Sequence, residues 1–164
     1  MESLTQDGLT APMDILESAA LIAATICTGL MAGLFAAFTY AIMPGLRRTD
    51  DRAFSDAMRQ INVAILNVWF AIPFGGALVF AALAAALQLA SGDGAALGWT
   101  AGGLLLYLVT LAITFRVNVP LNDALAAGGS RERFERPWVR ANIVRAVTST
   151  AALGCLAGAL SAGS

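Results

Sequence analysis

Trp138, Asn142, Arg145 and Ser149 follow one another at steps of four, three and four residues, so on a helix they form a single polar stripe. These residue types suit one kind of chemistry. An indole stacks on a flat ring, an amide hydrogen-bonds ring oxygens, and a guanidinium stabilises an oxygen that is gaining negative charge. Arg116, Asn118 and Asn122 follow the third apolar run, while Asn62 and Asn67 lie early in the second. The two asparagines are five residues apart, about 140° on a helical wheel, so on one helix only one of them faces a common centre. Asp123 is the only carboxylate among these residues, and an exposed helix-capping role is open to it. The competing structural account is that the asparagines brace helix ends, Trp138 joins an interfacial aromatic belt and Arg145 snorkels to headgroups.

The elements that must position this set are apolar helices. Of 164 residues 58% are hydrophobic and 13% charged, more apolar surface than a soluble domain of this size buries, so the excess must face lipid. Four runs are long enough to span a bilayer core, which takes about 20 apolar residues: 15–43, closed by Pro44 and Gly45; 61–90, interrupted by Pro73; 97–115; and 137–160. The expectation is an all-α protein, a four-helix transmembrane bundle forming one domain over residues 1–164. Short interfacial helices are expected in both long loops. In the first, Thr49, Asp50 and Asp51 make a helix start, with Phe54, Met58 and Ile61 at helical spacing behind it. In the second, Pro120 is expected to break helix three, Asn122 to cap a turn over 123–127, Gly128 and Gly129 to end that turn, and Ser130 to cap another short helix before Pro137.

All ten basic residues are arginines, and they lie either between runs one and two or from Arg116 to Arg145. Short cytoplasmic loops hold the excess of basic residues, so a multi-pass protein of the cell (inner) membrane is expected, with both termini outside and both long loops cytoplasmic. The opening residues carry no Lys or Arg and so lack the positive region of a secretory signal; the first run reads as a retained helix. Apart from Arg145 and Arg116, the arginines need nothing beyond headgroups and cytosol. GxxxG patterns at Gly29–Gly33 and Gly154–Gly158 permit close helix approach and carry a structural meaning only.

With a net charge of −1 there is no basic footprint for nucleic acid. There is no histidine, and Cys27 and Cys155 each sit alone in an apolar run, so no metal ligand set is expected and both cysteines read as packing residues. A quinone-linked thiol oxidoreductase would need a cysteine pair in a loop. An ion channel or proton relay would need an acidic residue deep in a span. Neither is present in the sequence.

The stretches AIMPGLRR (41–48), INVAILNVWF (61–70), NVPLNDAL (118–125) and FERPWVRANIVRAVTS (134–149) resemble the anthrone-oxygenase-like family of small membrane proteins. NVPLN followed by W-x-x-x-N-x-x-R is the most specific part. The resemblance implies a four-helix membrane bundle and, by its characterised members, oxidation of an anthrone to an anthraquinone by molecular oxygen with no metal or flavin cofactor. Carried onto this chain, Arg145 and Arg116 would stabilise the enolate oxygen. Asn62, Asn67, Asn118, Asn122 and Asn142 would line the site and position ring oxygens, Trp138 would stack, and Asp123 would take the proton. The expected partners are membrane lipid and an aromatic small molecule. The alternative function is a non-catalytic membrane protein that binds a small hydrophobic molecule or a membrane partner.

Overall fold

A computed structural model describes residues 3–162 of the chain, with side chains from Asp14 onward. The outermost residues, and the side chains of the opening stretch read for a leader, lie outside the described residues. The elements in order are α1 (Ser3–Ala37), a π-helical segment (Phe38–Ile42), α2 (Met43–Leu46), α3 (Asp51–Ala64), α4 (Val68–Ser91), α5 (Gly94–Ile113), a second π segment (Thr114–Asn118), α6 (Val119–Ala126) and α7 (Arg131–Ala162). The described residues contain no strand. Four helices, Asp14–Leu46, Val68–Ser91, Gly94–Ala126 and Arg131–Ala162, are long and apolar enough to cross a membrane. α1 packs against α4 and α7, and α5 packs against the same two, which makes an up-and-down ring of four.

The core is graded along the bundle. At one end Ala20, Ala24, Ala81, Ala84 and Ala159 are buried, and such small side chains let helices approach closely. At the other end the buried set is Phe38, Met43, Phe54, Met58, Leu125, Phe134 and Trp138. Bulky residues hold the helices apart there, and the bundle widens toward the arginines.

Both helix ends expected at prolines are instead continuous. Each π segment lies just upstream of a proline, Pro44 or Pro120, whose ring would collide with the carbonyl four residues back in a regular α-helix. The wider π turn absorbs the mismatch: the N–H of Met43 bonds Phe38 O and that of Val119 bonds Thr114 O, five residues back. Helix three therefore runs on to Ala126. The fourth helix likewise starts at Arg131 rather than near Pro137, and Pro137 lies inside it on an exposed face. The second run divides at residues 65–67. Asn67 bridges the break, donating to Ala64 O (2.7 Å) and accepting from Phe70 N (3.1 Å). The interfacial helix α3 begins at Asp50, whose carboxylate accepts from Arg52 N and Ala53 N. The Ala53 bond, helped by the Arg52 bond and charge, holds that carboxyl below its usual range. A carboxyl lowered in this way contributes above its unfolded pKa and is lost only as acid protonates it, so the cap is intact at neutral pH. Gly128, at φ 93°, closes α6, with Gly129 N bonded to Ala124 O.

The arginine end is clamped. Arg131 donates from Nε to Glu135 (2.7 Å), from Nη1 to Thr49 O (2.8 Å) and to Asp51 (3.2 Å), and from Nη2 to Arg47 O (3.1 Å). Its guanidinium also lies 4.3 Å over the Phe54 ring, and Arg47 pairs with Glu135 at 2.9 Å. Arg47 and Arg131 thus tie the first loop to the start of α7, a specific role that headgroup contact does not describe.

The GxxxG patterns are not a mutual interface. A side chain at Gly29 would meet Leu153 of α7, but Gly33 and Gly154 face open space and Gly158 packs against Trp99 of α5. A glycine that packing against backbone requires is Gly103, where an added Cβ would lie 3.2 Å from Ala152 O and 3.2 Å from Leu156 Cγ. Gly103→Val is expected to lose about 1–3 kcal/mol through overpacking. Gly33→Val is expected to stay within about 0.5 kcal/mol of the parent. Thermal unfolding of the detergent-solubilised proteins compares the two.

Candidate functional site

At the wide end a cavity of about 810 Å³ lies among α1, α3, α4, the second π segment, α6 and α7. Its volume falls in the roughly 300–1,000 Å³ range of small-molecule sites. Apolar and aromatic side chains dominate the wall, among them Phe35, Phe38, Phe70, Phe74 and Phe115. Phe70 and Phe74 stack at 4.9 Å, and Phe74 meets Phe115 edge-on at 6.0 Å.

Arg145 is the only cation deep in this wall and is 6% exposed. Its Nη2 donates to Asn142 Oδ1 at 2.8 Å and its Nη1 reaches Thr114 Oγ1 at 3.4 Å, while Nε has no partner. The guanidinium carbon lies 4.4 Å from the Phe35 ring centre and 5.5 Å from that of Trp138. No carboxylate lies within ion-pair distance among the described residues. A buried cation held only by neutral dipoles and ring faces is under-compensated, since such charges ordinarily need a paired anion. The site is therefore electrostatically prepared for a ligand oxygen carrying negative charge.

The α7 stripe lies along one buried face: Trp138, Asn142, Arg145 and Ser149 are all buried. Trp138 packs between Phe38 and Phe134, and its indole N–H donates to Asn122 Oδ1 at 2.8 Å. That bond uses the Asn122 side chain, which lies inside α6 rather than capping a turn. Asn118, 1% exposed, reaches Trp138 O at 3.4 Å, and its Oδ1 is unpartnered. Asn62 lines the cavity from α3, with its Nδ2 unpartnered. The α3–α4 break places both Asn62 and Asn67 in the wall, although Asn67 spends its amide on the backbone.

Two of the expected residues stand elsewhere. Asn142 does not line the cavity; it sits behind Arg145, donating to Phe35 O and Thr39 Oγ1 (both 2.9 Å), so it positions the guanidinium against α1. Arg116 is exposed and outside the wall, because Thr114 and Asn118 share the inward face of the helix and the residue midway between them points the other way. Asp123 is exposed and lies at the cavity rim, the one carboxylate lining it. Sequence reasoning missed Thr114, the phenylalanines and Arg59, whose Nε donates to Leu125 O at 3.0 Å. The regular spacing of Thr110 and Thr114 was a signal for the first of these.

The pairing of Arg145 with Asn142 has a direct consequence for stability. Asn142→Leu strips Arg145 of its shortest hydrogen bond and removes the donor to Phe35 O and Thr39 Oγ1, which stay bonded to each other. The expected loss is about 1–3 kcal/mol for each buried group left unpaired, read as a lowered unfolding midpoint in detergent.

No curated protein and no solved structure matches the chain. A family profile described as "Anthrone oxygenase" matches residues 63–155, more than half of the chain, and that segment contains most of the cavity wall, including Asn118, Asn122, Trp138 and Arg145. The cavity, the buried guanidinium and this match agree, and the chain belongs to the anthrone oxygenase family.

Proposed function

We propose that the protein is a membrane monooxygenase that oxidises an anthrone-like polycyclic phenol with molecular oxygen, without a cofactor. The observation that carries this reading is Arg145: a buried guanidinium with no carboxylate partner, set between aromatic faces in the wall of an apolar cavity. A flat substrate is held along Trp138 and the phenylalanines, with its ring oxygen toward Arg145. Asn62 and Asn118 offer hydrogen bonds to further oxygens, as Asn122 does from beside the indole.

Anthrones carry a CH₂ whose proton is acidic because the resulting carbanion is delocalised as an enolate. A cation next to the enolate oxygen lowers the cost of that deprotonation. Asp123 at the rim accepts the proton and exchanges it with solvent. The enolate is its own reductant: one-electron transfer to oxygen and recombination form the new C–O bond as a peroxide anion, which a proton converts to the hydroperoxide. Cleavage of the O–O bond with loss of the second C–H proton leaves the ketone and one water. One oxygen molecule is consumed per substrate, one atom appearing in the quinone and one in water. The protein's part is to orient, deprotonate and stabilise negative oxygen.

The arginine clamp lies on the cytoplasmic side of the inner membrane in this reading, with both long loops inside and both termini outside. A second reading, a non-catalytic carrier of a small hydrophobic molecule, draws on the predominance of apolar side chains in the cavity wall.

Oxygen uptake and quinone absorbance with anthrone, using protein in lipid nanodiscs, test the assignment. The expected stoichiometry is one oxygen per quinone formed. Arg145→Met is expected to lose roughly 10²–10³ in kcat/KM, the usual cost of an oxyanion donor. Asn142→Asp, which gives the guanidinium a carboxylate partner, is expected to stay folded and lose activity comparably. Asp123→Asn is expected to lose roughly 10²-fold or more, with rate recovering as pH rises and hydroxide replaces the base. No turnover by the parent protein, with a planar quinone still bound, favours the carrier. Full activity in Arg145→Met overturns the role of Arg145.

A further inference from the structure

Toward the arginine clamp the cavity has a packed roof and a polar rim where Asn67, Asp123 and Ala126 are exposed, and beside these it has an apolar flank. Its roof at the clamped end is the buried cluster of Phe54, Met58, Leu125, Phe134 and Trp138, contributed by α3, α6 and α7. Arg59 Nε bonded to Leu125 O ties α3 to α6 across that roof. α1 and α7 form the back wall through Leu34, Phe35, Phe38, Trp138 and Arg145. The opposite flank has no such hydrogen bond among the described residues, and the ring contact across it is Phe74 edge-on to Phe115 at 6.0 Å. The backbone of α4 packs along α5 but not closely along the second π segment or α6, so the two spans diverge toward this end.

The residues edging that gap line the cavity and are exposed at the same time. They are Val68, Ala71 and Gly75 on α4, and Phe115 and Val119 on the facing side. Val68 is 59% exposed and Phe115 60%. All five belong to helices long and apolar enough to cross the membrane. Val68 to Gly75 covers about 10 Å of helix rise, so the gap extends well below the polar end of the span. Among these five residues there is no charge and no side chain able to form a hydrogen bond.

We infer that this gap is a lateral portal, through which the cavity exchanges its ligand with the bilayer rather than with water. The inference rests on the cavity being the binding site proposed above, and it narrows the substrate class. The substrate arrives dissolved in the membrane as an uncharged, flat, polycyclic phenol, and negative charge develops only beside Arg145. Molecular oxygen is itself apolar and enters by the same route. A substrate ionised in water, or carrying a sulfate, phosphate or sugar, is excluded by the cost of drawing a charged or strongly hydrated group through an apolar slot. The reaction that supplies the substrate must therefore deliver it without such groups.

At partition equilibrium the occupancy of a site does not depend on the route taken, so the test must be kinetic. The probe is anthraquinone, flat and inert, with binding followed by fluorescence of Trp138 in nanodisc-embedded protein carrying Trp69→Phe and Trp99→Phe. A side chain added at Gly75 meets nothing within 4 Å, so Gly75→Phe places bulk in the gap without displacing packed neighbours and without adding a second fluorophore. It is expected to slow association and dissociation by the same factor, roughly tenfold, which corresponds to an added barrier of about 1.4 kcal/mol. The dissociation constant is expected to stay within about twofold, since a plug on the path raises a barrier without changing either end state. Ala126→Phe, at the polar rim, is expected to leave both rates unchanged. Slowing by Ala126→Phe instead, or unchanged rates in Gly75→Phe, overturns the portal.

A second measurement does not depend on any ligand binding. Spin labels at Ala71→Cys and Phe115→Cys, each with Cys27→Ala and Cys155→Ala, are expected to collide more with oxygen than with a water-soluble nickel chelate. Dominant collision with the chelate would place the gap in water, and protection from both would place it against another protein surface. Either result overturns the portal. If anthraquinone fails to bind while the labels report lipid, the site assignment fails and the geometry of the opening stands.

Discussion

A guanidinium taken out of water must be surrounded by an anion or by dipoles, and in this protein the second solution holds Arg145. Asn142 supplies the shortest of those dipoles, Thr114 a longer one, and Phe35 and Trp138 offer ring faces. Each belongs to a chain of further requirements. Asn142 is oriented by Phe35 O on α1 and Thr39 in the first π segment. Thr114 lies on the inward face of the second π segment, and Trp138 is oriented by Asn122 on α6. The helix order, the π turns and the aromatic packing at this end all serve to keep one positive charge stable without neutralising it. A carboxylate partner would satisfy the charge more cheaply, and it would remove what the cavity offers to an oxyanion.

The widening of the bundle follows from side-chain size and backbone irregularity together. Alanines let the four helices close up at the far end, while phenylalanines, methionines and tryptophan spread them at the arginine end. In hydrocarbon the backbone cannot leave polar groups unpaired. A helix that must bend around a cavity therefore keeps its ladder by shifting to five-residue bonds, as it does before Pro44 and Pro120. The break at residues 65–67 is the exception. It lies at the interfacial end, where Asn67 pairs Ala64 O and Phe70 N, and it gives α3 freedom to fold across the end of the cavity.

The charged residues outside the cavity have a different task. Arg131 collects a carboxylate on its own helix, two loop carbonyls, a loop carboxylate and the face of Phe54. The Arg131–Asp51 and Arg47–Glu135 pairs each have an exposed partner and contribute little individually, while Arg131–Glu135 is more sheltered. Their value is geometric, because they hold the first loop and α3 over the start of α7 and so keep the roof above Trp138. The polar end is therefore ordered by charge and the apolar flank by shape alone.

By itself the sequence determined the class of molecule and the composition of its site. Apolar runs of spanning length, one-sided arginines and the 138–142–145–149 stripe are periodic or compositional signals, and local periodicity survives into the fold because each helix satisfies its own backbone. Tertiary structure decided which polar residues meet. Arg116 and Asn118 are two residues apart, which puts them on nearly opposite faces of one helix, and only the packing of that helix settles that Asn118 faces the cavity and Arg116 the exterior. Asn142 lies on the stripe with Arg145, yet its role as a brace depends on a carbonyl of α1 and a hydroxyl of the first π segment, both more than a hundred residues away in the chain. The direction in which the cavity opens depends on where α4 parts from α5, a property of side-chain volumes summed over four helices that no single stretch of sequence carries.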